Sequence, residues 1–163
     1  MKVIYSGVKN DYLNPKRGLS FEHNNFYGTF IKMKEVDLIY FPYDRILEIG
    51  KERFNKELLD LVIREKPDFF LAMMFTDELK FDTLKEIKKH TKSIAWMADD
   101  HWRFSNYSKY YAPFFSLVVT TYSRALEWYK KDGFNNVIRS EWASNPNYWF
   151  CKRKRQHLLF NPN

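Results

Sequence analysis

The chain has 163 residues, 45% of them hydrophobic and 19% aromatic, with a formal net charge of +7. Such a length fits one domain able to bury about 70% of its unfolded surface, and the composition excludes disordered, collagen-like and low-complexity classes. The positive charge favours anionic partners in general, but Lys85, Lys88, Lys89, Lys130 and Lys131 are spread over helical stretches as solvated faces, and the one dense run is Lys152-Arg153-Lys154-Arg155.

Lys2 to Ser6 reads as a strand, closed by Gly7 and a polar loop through Gly18. Ser20 can cap a helix from about Phe21 to Lys34, with Phe26, Phe30 and Met33 on one stripe. Val36 to Phe41 is a second strand, ended by Pro42. A helix over Lys51 to Glu65 presents Phe54, Leu58, Leu61 and Val62 at helical spacing, and Pro67 prevents its continuation. Asp68 to Met74 is nearly all apolar, as a strand covered on both faces would be. Lys80 to His90 is helical, with Leu84 and Ile87 inward; Ser93 to Met97 and Ser116 to Thr120 are strands, with a short helix expected over Asn106 to Ala112 between them. A helix from about Ser123 to Asp132 ends at Gly133, which suits a left-handed cap, and Val137 to Ser140 closes the series as a short strand.

This alternation predicts one α/β domain over residues 1–142, a Rossmann-like doubly wound parallel sheet with helices on both faces. Residues 143–163 read as linker or tail. Cys151 is the only cysteine, so a disulfide framework and a Cys-based zinc site are excluded. The longest apolar run, Phe69 to Phe75, is far short of the ~20 residues of a membrane span. The N-terminus has too short an apolar run for a signal peptide, and a cytoplasmic protein is the expectation.

Doubly wound folds host many chemistries, so the loops decide. Ser6-Gly7-Val8-Lys9 is neither a dinucleotide fingerprint nor a P-loop, and no acidic residue follows the first strand directly as in a phospho-receiver. Gly7 marks a tight turn or a close approach to ligand. The strongest constellation is Trp96-Met97-Ala98-Asp99-Asp100-His101-Trp102-Arg103-Phe104, where four ionisable groups crowd the end of a strand at which open sheets have their crevice. Burial would tune a carboxylate as a base, His101 is the other natural proton acceptor, and Arg103 can hold a phosphate or carboxylate. The structural alternative has one carboxylate capping the next turn and Arg103 paired with the other. On an extended segment Asp99 and Asp100 point apart, which argues against a shared metal, while Asp99 and His101 share a face.

Two further loops belong to the same predicted edge. Glu22, Asn24 and Asn25 open the first helix, where ligand contact and ordinary capping are both open. Thr76 and Asp77 follow the third strand, with Asp77 equally an N-cap. Tyr107, Tyr110, Tyr111 and Phe114 form either a sugar-stacking wall or core.

Ser20-Phe21-Glu22-His23-Asn24-Asn25-Phe26-Tyr27, Phe75-Thr76-Asp77-Glu78 and the Trp96 to Phe104 run together resemble the CgeB-like family, spore-maturation-type glycosyltransferases of two-domain GT-B architecture. Val118-Val119-Thr120-Thr121 and Trp142-Ala143-Ser144-Asn145-Pro146 are also similar. The resemblance implies an acceptor-side N-terminal domain, a nucleotide-sugar donor held chiefly by a C-terminal domain, and no metal or other cofactor. It implies that Asp99, Asp100 or His101 deprotonates the acceptor hydroxyl, with Arg103 and the Gly7 loop positioning polar groups. The chain reaches Asn163 before a donor domain would begin, so activity is expected only with such a domain in the same or another chain. The alternative is a non-catalytic module for an anionic partner such as nucleic acid, using the basic run, although no RNA-binding signature is present.

Overall fold

The computed structural model describes residues 1–142; the expected linker or tail, with Cys151 and the Lys152 to Arg155 run, lies outside the described residues. Six strands form where the apolar runs predict them: β1 (Lys2–Ser6), β2 (Asp37–Tyr40), β3 (Phe69–Met73), β4 (Lys92–Met97), β5 (Leu117–Thr120) and β6 (Val137–Arg139). They make one sheet of order β2-β1-β3-β4-β5-β6, parallel at every pairing. The fold is α/β and Rossmann-like.

The connections between strands carry α1 (residues 21–30), α2 (Lys51–Glu65), α3 (Phe81–His90), α4 (residues 100–114) and α5 (Ala125–Lys131), with further helical turns over Asp11–Leu13, Pro15–Arg17 and residues 43–49. The chain steps from β1 outward to β2, then reverses and runs from β3 to β6. Right-handed crossovers therefore put α1 on one face of the sheet and α2 to α5 on the other. Packing agrees. Phe26 and Phe30 of α1 lie against Tyr5, with ring centroids at 6.4 and 5.8 Å. On the opposite face Ile4, Phe70, Ala72, Ala95, Met97 and Val118 share a buried cluster with Phe54 and Leu58 of α2, Leu84 and Ile87 of α3, Tyr111 of α4 and Tyr129 of α5.

Several boundaries differ from expectation, and at the two largest shifts the reason is local. α1 stops at Phe30 and leaves Met33 43% exposed. It contains a widened π turn over His23–Tyr27, which breaks the 3.6-residue stripe that joined Phe26 to Met33. The short helix expected over Asn106 to Ala112 begins much earlier, at Asp100, and contains a second π turn over Phe104–Ser108. The strand expected over Val36 to Phe41 is trimmed to Asp37–Tyr40.

The reversal of the chain falls between β1 and β3. Loops leaving the carboxyl ends of those two strands diverge, so the crevice of the sheet opens there. No helix among the described residues is long and apolar enough to cross a membrane.

Candidate functional site

The crevice is a cavity of about 240 Å³ lined by Val8 after β1, by Met73, Met74 and Phe75 at the end of β3, and by Ala98 and Asp99 after β4. Ser20, Phe21 and Glu22 at the start of α1 and Arg103 of α4 complete its walls, with Asp11 and Tyr12 of the loop after β1. A wider cavity of about 690 Å³ shares Tyr12, Phe75, Asp99 and Arg103, and adds Thr76, Asp77, Trp102, Asn106 and Tyr107. Loops after three adjacent strands thus converge on Asp99 and Arg103.

Asp99 owes its orientation to where β4 stops. The Thr121 hydroxyl donates to the Ala98 carbonyl at 2.6 Å, pinning the strand end. The Asp99 carbonyl then accepts from the amides of Trp102 (3.1 Å) and Arg103 (3.0 Å), the first bonds of α4. The backbone of Asp99 therefore starts the helix, but its side chain does not cap it. An aspartate at this position ordinarily bonds the second or third amide of the helix; here the carboxylate is left for the crevice.

Arg103, one helical turn on, stacks its guanidinium over the Tyr107 ring, 3.8 Å from the centroid. Among the described residues no carboxylate lies within ion-pair distance of it, so the alternative in which it pairs with Asp99 or Asp100 does not hold. Tyr107 is fixed in turn, since its hydroxyl donates to the Thr76 carbonyl.

Asp100 and His101 leave this site. Asp100 is fully buried, and both its carboxylate oxygens accept from the Tyr129 hydroxyl, at 3.2 and 3.1 Å. Burial pushes its carboxyl up from the ordinary value, against hydrogen bonds from Ser108, Thr120 and Tyr129 that pull it down. His101 is exposed and lies edge-on to Tyr122, with centroids 5.9 Å apart. It lines another cavity, of about 310 Å³, with Asp100, Trp128 and Lys131, and only Trp102 is shared between that cavity and the wider one. The extended segment that would put Asp99 and His101 on one face does not occur, because the helix starts between them.

The remaining expected contacts divide similarly. Glu22 lines the crevice. Asn24 and Asn25 turn back onto α1, their amides donating to the carbonyls of Ser20 (2.8 Å) and Phe21 (2.9 Å), and neither lines the crevice. Ser20 is the helix cap: its hydroxyl donates to the Val8 carbonyl at 2.5 Å and accepts from the His23 amide at 3.0 Å. Thr76 and Asp77 face the wider cavity, but with bonds of their own. The Thr76 amide and hydroxyl donate to the buried Glu78 carboxylate, at 2.8 and 2.5 Å. Asp77 pairs with Lys51 at 2.7 Å, which holds its carboxyl below the ordinary value. It is not a helix cap, since α3 begins after Lys80.

Gly7 does not line either cavity; it is required by close approach instead. A Cβ there would sit 2.5 Å from the Tyr5 hydroxyl oxygen and 3.4 Å from the Met73 Cβ. Of the four aromatics that read as either wall or core, Tyr111 is buried core, Phe114 packs against the core and Tyr110 is exposed; of the four, Tyr107 alone lines the wider cavity. Pattern reading missed Tyr12 and Trp102, which do line it, because an aromatic in a polar loop or a single turn carries no periodic signal. No protein-family model matches the chain, and a search of curated proteins returns no significant match.

Proposed function

We propose that this chain is the acceptor-side domain of a glycosyltransferase, moving a sugar from a nucleotide-sugar donor to an acceptor hydroxyl. In this reading a donor domain, in the same or another chain, completes the cleft. The observation that carries it is the meeting of two groups in the crevice at the switch point of a parallel sheet. One is an uncapped carboxylate, Asp99, and the other a guanidinium, Arg103, with no ion-pair partner among the described residues.

Asp99 accepts the proton of the acceptor hydroxyl as that oxygen bonds to the anomeric carbon and the bond from that carbon to the donor diphosphate oxygen breaks. Arg103 offers a planar fork to the acceptor hydroxyls or to the departing diphosphate. Stacking on Tyr107 orients that fork while leaving its charge unneutralised. Asp100 shapes the site from beneath by fixing the start of α4, and His101 lines the neighbouring cavity instead. The donor is a substrate, and the reading calls for no further cofactor. The rival reading, a module gripping an anionic partner through Lys152 to Arg155, rests on residues outside the described ones.

Co-expression of the full chain with a donor domain tests the proposal. Acceptor-dependent release of nucleoside diphosphate from one of a panel of nucleotide sugars is expected. Release that is absent with every donor, or indifferent to acceptor, overturns it.

A further inference from the structure

Two large aromatic side chains stand in solvent on the wider cavity, Tyr12 at 68% exposure and Trp102 at 58%. Leaving such rings in water forgoes the stabilisation that burial would give. Tyr12 is also held at φ 50 and ψ 37, and Leu13 beside it at φ 57, a left-handed conformation unfavourable to any residue with a Cβ. Strain of this kind persists only where the surroundings over-determine it, and it gathers at ligand sites.

The surroundings here do over-determine it. The Asp44 carboxylate accepts from the amides of Lys9 (2.7 Å) and Asn10 (3.0 Å), and the Asp11 amide donates to the Gly18 carbonyl at 2.9 Å. Arg17 pairs with Asp11 at 2.7 Å and lies over the Tyr12 ring at 4.6 Å, while Phe75 meets that ring edge-on at 5.9 Å. Tyr12 is a braced platform rather than a loose loop residue.

We propose that Tyr12 and Trp102 are the stacking walls of an acceptor subsite for a pyranose ring, so that the acceptor is itself a carbohydrate. This rests on the glycosyltransferase reading and names its acceptor class. A pyranose has an apolar C–H face and a rim of hydroxyls. The two aromatic side chains suit the face, and the Asp99 carboxylate, the Arg103 guanidinium and the Asn106 amide, all planar and on the same cavity, suit the rim. An acyl chain in that space would strip water from Asp99 and Arg103 and return no partner.

The test is ligand-observed saturation-transfer NMR on the full chain with methyl pyranosides, nucleosides and an acyclic polyol. Transfer to pyranoside ring protons is expected, with binding weakened about tenfold in Trp102→Ala and in Tyr12→Ala. Tyr12→Phe keeps the ring and binds as the native chain does. Thermal unfolding of each variant separates lost stacking from lost fold. The proposal is overturned by the absence of pyranoside signal at about 10 mM, where a millimolar Kd would fill most sites. Equal binding of the acyclic polyol, preference for nucleosides, or indifference to both alanine variants also overturns it. A chain that binds pyranosides but supports no transfer with any donor refutes the transferase reading alone; one that transfers sugar unaffected by either alanine variant refutes the subsite alone.

Discussion

The Tyr129 hydroxyl lies 3.2 Å from Oδ1 and 3.1 Å from Oδ2 of Asp100, donating to the carboxylate from α5 into the first residue of α4. Consecutive aspartates thereby take opposite roles. Asp100 is held under the helix, and Asp99, one residue earlier, is carried to the crevice. Asp100→Ala removes the acceptor shared by the Tyr129, Ser108 and Thr120 hydroxyls, so a loss of about 1–3 kcal/mol is expected in urea unfolding. Tyr129→Phe keeps the packing and should cost about 1 kcal/mol.

The same carboxyl gives a pH signature. Burial raises it above the ordinary value of 3.8, so just above that pH the folded chain retains a proton that the unfolded chain has released. Its contribution to stability is complete below the ordinary value and is lost as pH rises through the folded one. The Asp100→Asn variant carries a carboxamide there, which cannot ionise. Its urea midpoint should therefore improve relative to the native chain as pH rises from about 4 to about 7. Parallel pH curves for the two proteins would contradict this.

Gly7→Ala should destabilise by about 1–3 kcal/mol, since the added methyl meets the Tyr5 ring tip and the wall of β3. The Tyr5 hydroxyl is buried without a hydrogen-bond partner among the described residues. Tyr5→Phe alone is thus expected to be neutral or mildly stabilising. Combined with Gly7→Ala it removes the closest contact and should recover part of the loss, which a double-mutant cycle by chemical denaturation measures directly.

Left-handed positions offer a reversal of the usual ranking. Glycine is ordinarily worse than alanine, yet at residue 12 both lose the ring and only glycine is at ease at φ 50. Tyr12→Gly should be more stable than Tyr12→Ala by about 1 kcal/mol. Lys66, at φ 46, ends α2 in the same conformation. Lys66→Gly should raise stability by about 1 kcal/mol, read as a higher unfolding midpoint.

The centre of the sheet is legible because its strands are apolar: Phe69 to Met73 has no polar residue, and such a run has few other homes, whereas the edge strands β2 and β6 stay half-buried or exposed. α2 is legible because Phe54, Leu58, Leu61 and Val62 keep one stripe, and all four are buried. α1 and α4 are less so, since a π turn shifts the stripe by a residue and no residue type announces it. The site was readable as a location but not as an arrangement. Asp99, Asp100 and His101 share a face or separate according to where the strand yields to the helix, and boundaries are what pattern defines least well. Arg103 needed Tyr107, one turn away, to explain why no carboxylate among the described residues pairs with it. Asn24 and Asn25, for which the sequence leaves ligand contact and capping both open, bond the carbonyls four residues before them.

The central claim is that Asp99, and neither Asp100 nor His101, takes the acceptor proton. Its most direct test is the rate of acceptor-dependent nucleoside diphosphate release by the chain paired with a donor domain, for Asp99→Asn and His101→Ala beside the native residues. Asp99→Asn should slow release by about 10²–10⁴-fold with its unfolding midpoint intact, and His101→Ala should leave the rate near native. A folded Asp99→Asn protein that keeps its rate, or a collapse of the rate in His101→Ala alone, would contradict the claim.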